Sequence, residues 1–139
     1  MTDRPVDMHK AAGTIIVDRK FMVERSRGKS VWGHPGGKLE PGETAKQALV
    51  REFKEEFNIT VQEADLEFFG TFYGEAARNP GKWLRMDVFT VKKFSGSLTP
   101  SAEVDEYKFI NSTDAKTLEL SSICQTQIIP RLQAAGLID

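Results

Sequence analysis

The chain has 139 residues, with 19 Lys plus Arg against 20 Asp plus Glu, a net charge of -1, 40% hydrophobic and 28% charged residues. That length and balance suit one domain, residues 1–139, able to bury its own core, and they argue against a polymeric nucleic acid as partner, because lysines and arginines are interspersed with acids and no basic run stands out. With Cys124 as the one cysteine no intrachain disulfide is possible, His9 and His34 do not complete a zinc spacing, and no segment approaches the roughly 18 apolar residues of a membrane span.

The amino-terminal MTDRPVDMHK has no apolar export core, so the cytoplasm is the expected compartment. Ala11 to Val17 is a β-branched run, and Lys20 to Glu24 reads as its partner across a turn at Asp18-Arg19, a predicted hairpin. Arg25 to Lys29 is polar and reads as a loop, followed by the short Val31-Trp32 segment and a glycine turn. Pro41 precedes a helix predicted over Thr44 to Phe57. Leu66 to Tyr73 and Leu84 to Val91 read as longer strands, joined by Gly74 to Lys82 with turn chemistry at Asn79-Pro80-Gly81. Asp105 to Ile110 is a last strand, and Leu118 to Ala135 an amphipathic closing helix broken or kinked at Pro130, with Cys124 packed inside it. Exposed strand edges leave monomer and homodimer both open.

The helix over Thr44 to Phe57 carries the chemistry. At about 100° per residue, Ala45, Ala48, Leu49 and Phe53 form one apolar stripe, and Glu52 and Glu56 fall within roughly 20° of the direction of Ala45. A solvated helix would set its acids opposite the stripe, as Lys54 is set. Carboxylates turned toward the protein body are costly unless a divalent cation offsets them. Upstream stands Trp32-Gly33-His34-Pro35-Gly36-Gly37-Lys38, and paired glycines allow close backbone approach, with carbonyls that can serve as hard oxygen ligands.

From Gly37 to Ile59 the sequence GKLEPGETAKQALVREFKEEFNI resembles the Nudix box, G-x5-E-x7-R-E-U-x-E-E-x-G-U, where U is aliphatic or bulky and apolar. Every charged position matches; the departures are Asn58 in place of Gly and Phe53 as a loose U. Asn is the next best residue after Gly for a left-handed helix end, so this departure leaves the acids in place.

The resemblance implies an α/β (α+β) chain with the Nudix fold, an α/β/α sandwich with a mixed β-sheet between helices. It implies metal-dependent hydrolysis of a phosphoanhydride bond in a nucleoside diphosphate linked to another group. The cofactor would be Mg2+, with Mn2+ an alternative, and the partner a nucleotide small-molecule substrate. By the family's pattern Glu52 and Glu56 are metal ligands with Glu55 third, the Gly37 carbonyl joins them, and Arg51 braces the cluster with Glu43 as its ion-pair partner. The general base is a box glutamate or an acid of a later loop, Glu103 ahead of Glu106. Arg25, Arg27, Lys38 and Arg85 are candidate phosphate contacts, and Trp32, with Tyr73 or Trp83, a candidate base platform. Size and the Trp32 to Lys38 lead-in are similar to the small MutT-type group acting on nucleoside triphosphates, including oxidised ones. ADP-ribose or a nucleotide sugar is the alternative substrate, and a catalytically silent nucleotide-binding module the alternative class.

Overall fold

A computed structural model describes residues 4–76 and 79–139. In chain order it contains β1 (Met8–Thr14), β2 (Ile16–Val17), β3 (Lys20–Ser26), β4 (Trp32–Gly33), β5 (Gly36–Lys38), α1 (Ala45–Phe57), β6 (Leu66–Glu75), β7 (Trp83–Val91), β8 (Val104–Ile110), α2 (Ser112–Ala115) and α3 (Ile129–Ala134). One sheet has the order β5-β1-β7-β6 and is mixed, because β1 runs parallel to β7 while its other pairs are antiparallel. In the second sheet β3 pairs antiparallel with β2 and β4 at successive positions and with β8 along nearly its whole length.

Alternation along the strands divides the core in two. Ala11, Met22 and Phe89 pack with Ala48, Leu49, Phe53 and Phe57 of α1. Their neighbours Ala12, Phe21 and Val88 pack on the other side with Ile123, Cys124, Ile128 and Leu132 of the closing helical segment. Period-two alternation with both faces apolar is what a sheet covered on both sides requires, and the result is the predicted helix, mixed sheet, helix sandwich. Each large apolar side chain buried this way contributes about 1.5–3 kcal/mol. α1 seats closely because β1 offers Gly13 beneath it: a Cβ there would lie 2.6 Å from the Phe53 ring.

Several predicted boundaries move. The hairpin shrinks to Ile16–Val17 against Lys20–Phe21, since Met8–Thr14 instead pairs parallel with β7 over seven positions and is buried from both sides. Arg25 and Ser26 belong to β3 rather than to a loop, and Gly36–Lys38 forms a strand against β1 rather than a free turn. In the predicted turn from Gly74 to Lys82, residues 77 and 78 lie outside the described residues.

The closing helix starts at residue 122 rather than at Leu118, and α2 precedes it. The kink foreseen at Pro130 takes the form of a π-helical stretch, Cys124–Ile128, directly ahead of it. Proline cannot donate to the preceding turn and its ring crowds the carbonyl four residues back, so the wider turn absorbs both defects. Among the described residues no helix is long and apolar enough to cross a membrane.

Candidate active site

The caps of α1 set where its acids point. Thr44 caps the start in a reciprocal box with Gln47: Thr44 Oγ1 accepts from Gln47 N at 3.1 Å, and Gln47 Oε1 accepts from Thr44 N at 2.9 Å. Asn58 ends the helix in the left-handed conformation, φ 55° and ψ 35°, and its N–H donates to the Lys54 and Phe53 carbonyls. Glu52, Glu55 and Glu56 therefore occupy the C-terminal half of the helix, where the dipole is unfavourable to anions.

Arg51 ties helix to loop. Its Nε and Nη2 donate to the two oxygens of Glu43 at 2.7 and 2.9 Å, its Nη1 to Glu52 Oε1 at 2.8 Å, and its Nη2 to the Lys38 carbonyl at 3.0 Å. The bidentate bond from Arg51, helped by the Glu40 N–H, draws the Glu43 carboxyl down to about 2 and raises the guanidinium further. The brace expected of Arg51 and Glu43 is thus a fork that joins β5 to α1.

Above Gly37 lies Glu52. A Cβ on Gly37 would stand 2.5 Å from Glu52 Cδ, so the carboxylate occupies the space a side chain would take. Burial raises the Glu52 carboxyl against the counteracting pull of Arg51. Glu56 is more extreme: burial first, then the charges of Glu24, Glu52 and Glu103, push its carboxyl up to about 9. Its Oε1 is buried with no hydrogen-bond partner among the described residues. Glu24 comes from β3 and is itself only 6% exposed.

These acids face an open cleft of about 510 Å³. Glu24, Glu52, Glu56 and Glu103 line it with Gly37, Lys38 and Arg51, and Leu84, Met86 and Ile123 give it apolar wall, with Ser121 and Glu75 also on the lining. Charged and apolar wall in one cleft suit a phosphorylated ligand with a flat organic group.

Of the predicted residues, Gly37, Lys38, Arg51, Glu52, Glu56, Glu103 and Trp32 stand on the described cleft wall, while Glu55, Arg25, Arg27 and Arg85 stand off it. The Glu55 side chain is 53% exposed, with Arg51 at 3.5 Å. Arg25 bonds Asp105, Glu106 and the Lys29 carbonyl. Arg27 donates to the Ala102 carbonyl and faces Asp105. Arg85 donates to Asp87, with Leu84 and Met86 turned the other way into the cleft. Trp32 is 6% exposed, and the Arg25 guanidinium and Lys108 ammonium lie 5.6 and 5.0 Å from its ring centre, so a base has little of that ring to stack on. Tyr73 is exposed on β6, and Arg4 lies 4.5 Å from the Trp83 ring.

Glu24, Lys10 and His34 stand on the wall although the sequence assigns none of them to the site. The signal for Glu24 is an acid closing the apolar run Phe21-Met22-Val23, two positions from buried Met22 and so on its face. His34 is buried, and burial lowers its imidazole to about 4, so it is neutral at pH 7. It stacks on Phe21, bonds Thr14 Oγ1 at 3.1 Å and faces Cys124 Sγ at 3.7 Å, fixing the glycine lead-in to β1 and to the closing helix. Cys124, its thiol pushed up to about 12 by burial, is a packed anchor here.

The donor set fits a hard divalent cation. Glu56 Oε1 has no hydrogen-bond partner among the described residues, Glu52 lies against the glycine backbone, and the carboxylates of Glu24, Glu52 and Glu103 act on Glu56 together. Among the described residues no three His, Cys, Asp or Glu side chains close on one point by themselves. Backbone, phosphate and water oxygens would complete the shell, as Mg2+ chemistry prefers.

Residues 7–132 match the NUDIX domain. The 8-oxo-dGTP diphosphatase of Proteus vulgaris is 34% identical over 99 residues, covering 66% of this chain and 82% of that protein. The RNA pyrophosphohydrolase of Legionella pneumophila is 44% identical over 62 residues, 42% of this chain, and the match spans only 34% of that protein's length. The solution structure of the E. coli ORF135 protein is similar at a TM-score of 0.73 and 25% identity, covering 92% of this chain and 91% of that one.

Proposed function

The chain belongs to the NUDIX family of hydrolases, and from that premise we propose that it is a divalent-cation-dependent pyrophosphohydrolase of a nucleoside triphosphate, oxidised forms included, releasing the monophosphate and pyrophosphate. The observation that carries this reading is Glu56, whose buried Oε1 has no hydrogen-bond partner among the described residues and which lies beside Glu24, Glu52 and Glu103. Such a group is destabilising unless something positive arrives to hold its charge.

Mg2+, or Mn2+ in its place, would be held by Glu52, Glu56 and the Gly37 carbonyl, and when bound it supplies charge neutralisation at phosphorus and a more acidic water. The chain's own residues do the rest. Arg51 keeps Glu52 turned over Gly37, Lys38 meets phosphate oxygens, and the apolar wall at Leu84, Met86 and Ile123 takes the base. Glu103, on the wall and free of the Arg51 fork, accepts the proton of the attacking water as general base. The cytoplasm is the compartment proposed for this reaction.

The test is product analysis on a panel of canonical and oxidised triphosphates, dinucleoside polyphosphates, ADP-ribose and nucleotide sugars, with Mg2+ and with chelator, for the natural chain and Glu56→Gln. Metal-dependent pyrophosphate release from a triphosphate, lost in the variant, supports the reading. Monophosphates from ADP-ribose or a nucleotide sugar would replace the substrate, and no turnover of any compound would leave a silent binding module.

A further inference from the structure

Arg85 and Tyr73, both expected at the substrate, stand off the cleft and are direct partners across β7 and β6, while His9 of β1 is the parallel partner of Arg85. Residues paired in this way share one face of a sheet. His9, Arg85 and Tyr73 therefore form a row across three strands, on the face opposite that of Leu84 and Met86. α1 covers this face at Ala11 and Phe89. The row lies beyond them, with the His9 and Arg85 side chains 35% and 42% exposed and Tyr73 40% exposed.

Beside the row sits Asp87, on the same face two residues along β7, with its side chain only 8% exposed. Thr71 Oγ1 donates to its Oδ1 at 2.7 Å and His9 Nε2 lies 2.6 Å from its Oδ2, so each oxygen has a close partner; Arg85 Nε, at 3.3 Å, is the longest of the three bonds. Burial by itself would raise the Asp87 carboxyl, but the bonds from His9 and Thr71 hold it below its ordinary value. A carboxylate only accepts, so His9 Nε2 carries the shared proton and the ring is fixed against Asp87. Arg85 is surplus to what Asp87 needs: one nitrogen is held, and Nη1 and Nη2 meet no acceptor among the described residues. Asp7, the acid two residues before His9, is taken up by the Trp83 N–H at 2.7 Å. A guanidinium oriented from behind by a buried carboxylate, beside an exposed phenol ring, suits a phosphate carried on a flat group: the fork takes two anionic oxygens and the ring offers a stacking face.

We propose that His9, Arg85 and Tyr73 form a second ligand site, on the face of the sheet away from the cleft, which takes a nucleoside monophosphate with its phosphate on Arg85 and its base against Tyr73. The site binds and breaks no bond. It stands whether or not the cleft hydrolyses a triphosphate.

The two histidines of the chain report the two faces separately, His34 from the cleft wall and His9 from the row. The experiment is titration of adenosine monophosphate, and separately of inorganic phosphate, into the full chain in chelator, read by the NMR signals of both imidazoles. It is run on the natural chain, Arg85→Gln and Tyr73→Leu, with an unshifted His9 signal before titration as the check that the bond to Asp87 is intact. The expected result is a saturable shift of the His9 signals by adenosine monophosphate, with a midpoint about tenfold higher in Arg85→Gln. Tyr73→Leu should raise that midpoint about fivefold and leave the response to phosphate unchanged. A nucleotide that moves only the His34 signals, or a His9 response that survives Arg85→Gln, overturns the site. Phosphate binding as tightly as the nucleotide at His9 overturns it as well, since the ring would then read nothing. A shift at His9 in a chain that hydrolyses none of the nucleotides would leave this site standing while the proposed function fell.

Discussion

The Glu52 carboxylate fills the place of a side chain on Gly37: a Cβ there would lie 2.5 Å from Glu52 Cδ and 2.5 Å from its Oε1. The glycine is therefore needed for space, and the space is what lets the acid lie over the backbone carbonyls. Gly37→Ala should push Glu52 out of its bond with Arg51, costing about 1–3 kcal/mol of stability as an overpacking change and weakening Mg2+ binding with it. Gly33→Ala is the control, since the nearest atom to its Cβ would be Ser121 Oγ at 3.8 Å. Denaturant unfolding and metal titration of both variants check this; equal behaviour of the two would remove the steric argument.

Glu56 sets a pH dependence of unexpected sign. The folded, metal-free chain keeps this carboxyl protonated up to about 9, whereas its ordinary value is 4.5. Between those values the folded state binds more protons than the unfolded one, so this contribution is fully present below 4.5 and is lost as pH rises through about 9. Glu43 acts in the opposite sense: lowered from 4.5 to about 2, it supports the fold above 4.5 and fails only as pH falls through about 2. Unfolding in chelator from pH 5 to 9 should show falling stability, a flatter curve for Glu56→Gln, and recovery on adding Mg2+. A natural chain whose stability did not change over that range would contradict the assigned burial.

Asn58 departs from the family's box yet holds the backbone that the glycine would hold, at φ 55° and ψ 35°. Asn58→Gly should change stability by no more than a few tenths of a kcal/mol, and Asn58→Val should cost about 1–2 kcal/mol, because a β-branched residue pays the full left-handed penalty. Thermal unfolding of the two decides it, and hydrolysis should follow stability rather than residue identity.

How much of this was legible in the sequence depended on whether the signal was local. Glu52 and Glu56 were readable because helical periodicity alone turns them toward Ala45, and the sandwich only through the resemblance of the Gly37 to Ile59 box, since the order of strands and helices by itself allows other α+β arrangements. The partners of β1 were not, since a β-branched run looks the same beside a hairpin neighbour as beside β7, some seventy residues on. Long-range geometry likewise hid the cleft wall: Glu24 and Lys10 arrive from strands far from the box, and Arg25 and Arg85 leave it through cross-strand partners that no spacing reveals.

Arg27 is where the two kinds of reading give opposite predictions. As a phosphate contact its loss would raise KM. The structure instead has its N–H donating to the Glu103 carbonyl at 2.8 Å and its Nε to the Ala102 carbonyl at 3.2 Å. From the other side, Ser101 N donates to the Glu56 carbonyl at 2.8 Å and Ser101 Oγ to that of Glu55. Between these anchors Ala102 takes the left-handed conformation at φ 55°, costly for a residue with a Cβ, and so turns Glu103 onto the cleft wall. Arg27 then acts through Glu103. Its guanidinium is 64% exposed, so its backbone N–H, which any residue retains, holds most of the loop. Arg27→Ala should lower kcat by only about threefold with KM unchanged, while Glu103→Gln lowers kcat by about a hundredfold or more, the range of a lost general base. Steady-state kinetics of both variants on one substrate settles the matter: a rise in KM for Arg27→Ala at constant kcat would return Arg27 to the phosphate, and a fully active Glu103→Gln would move the base to another acid of the cleft.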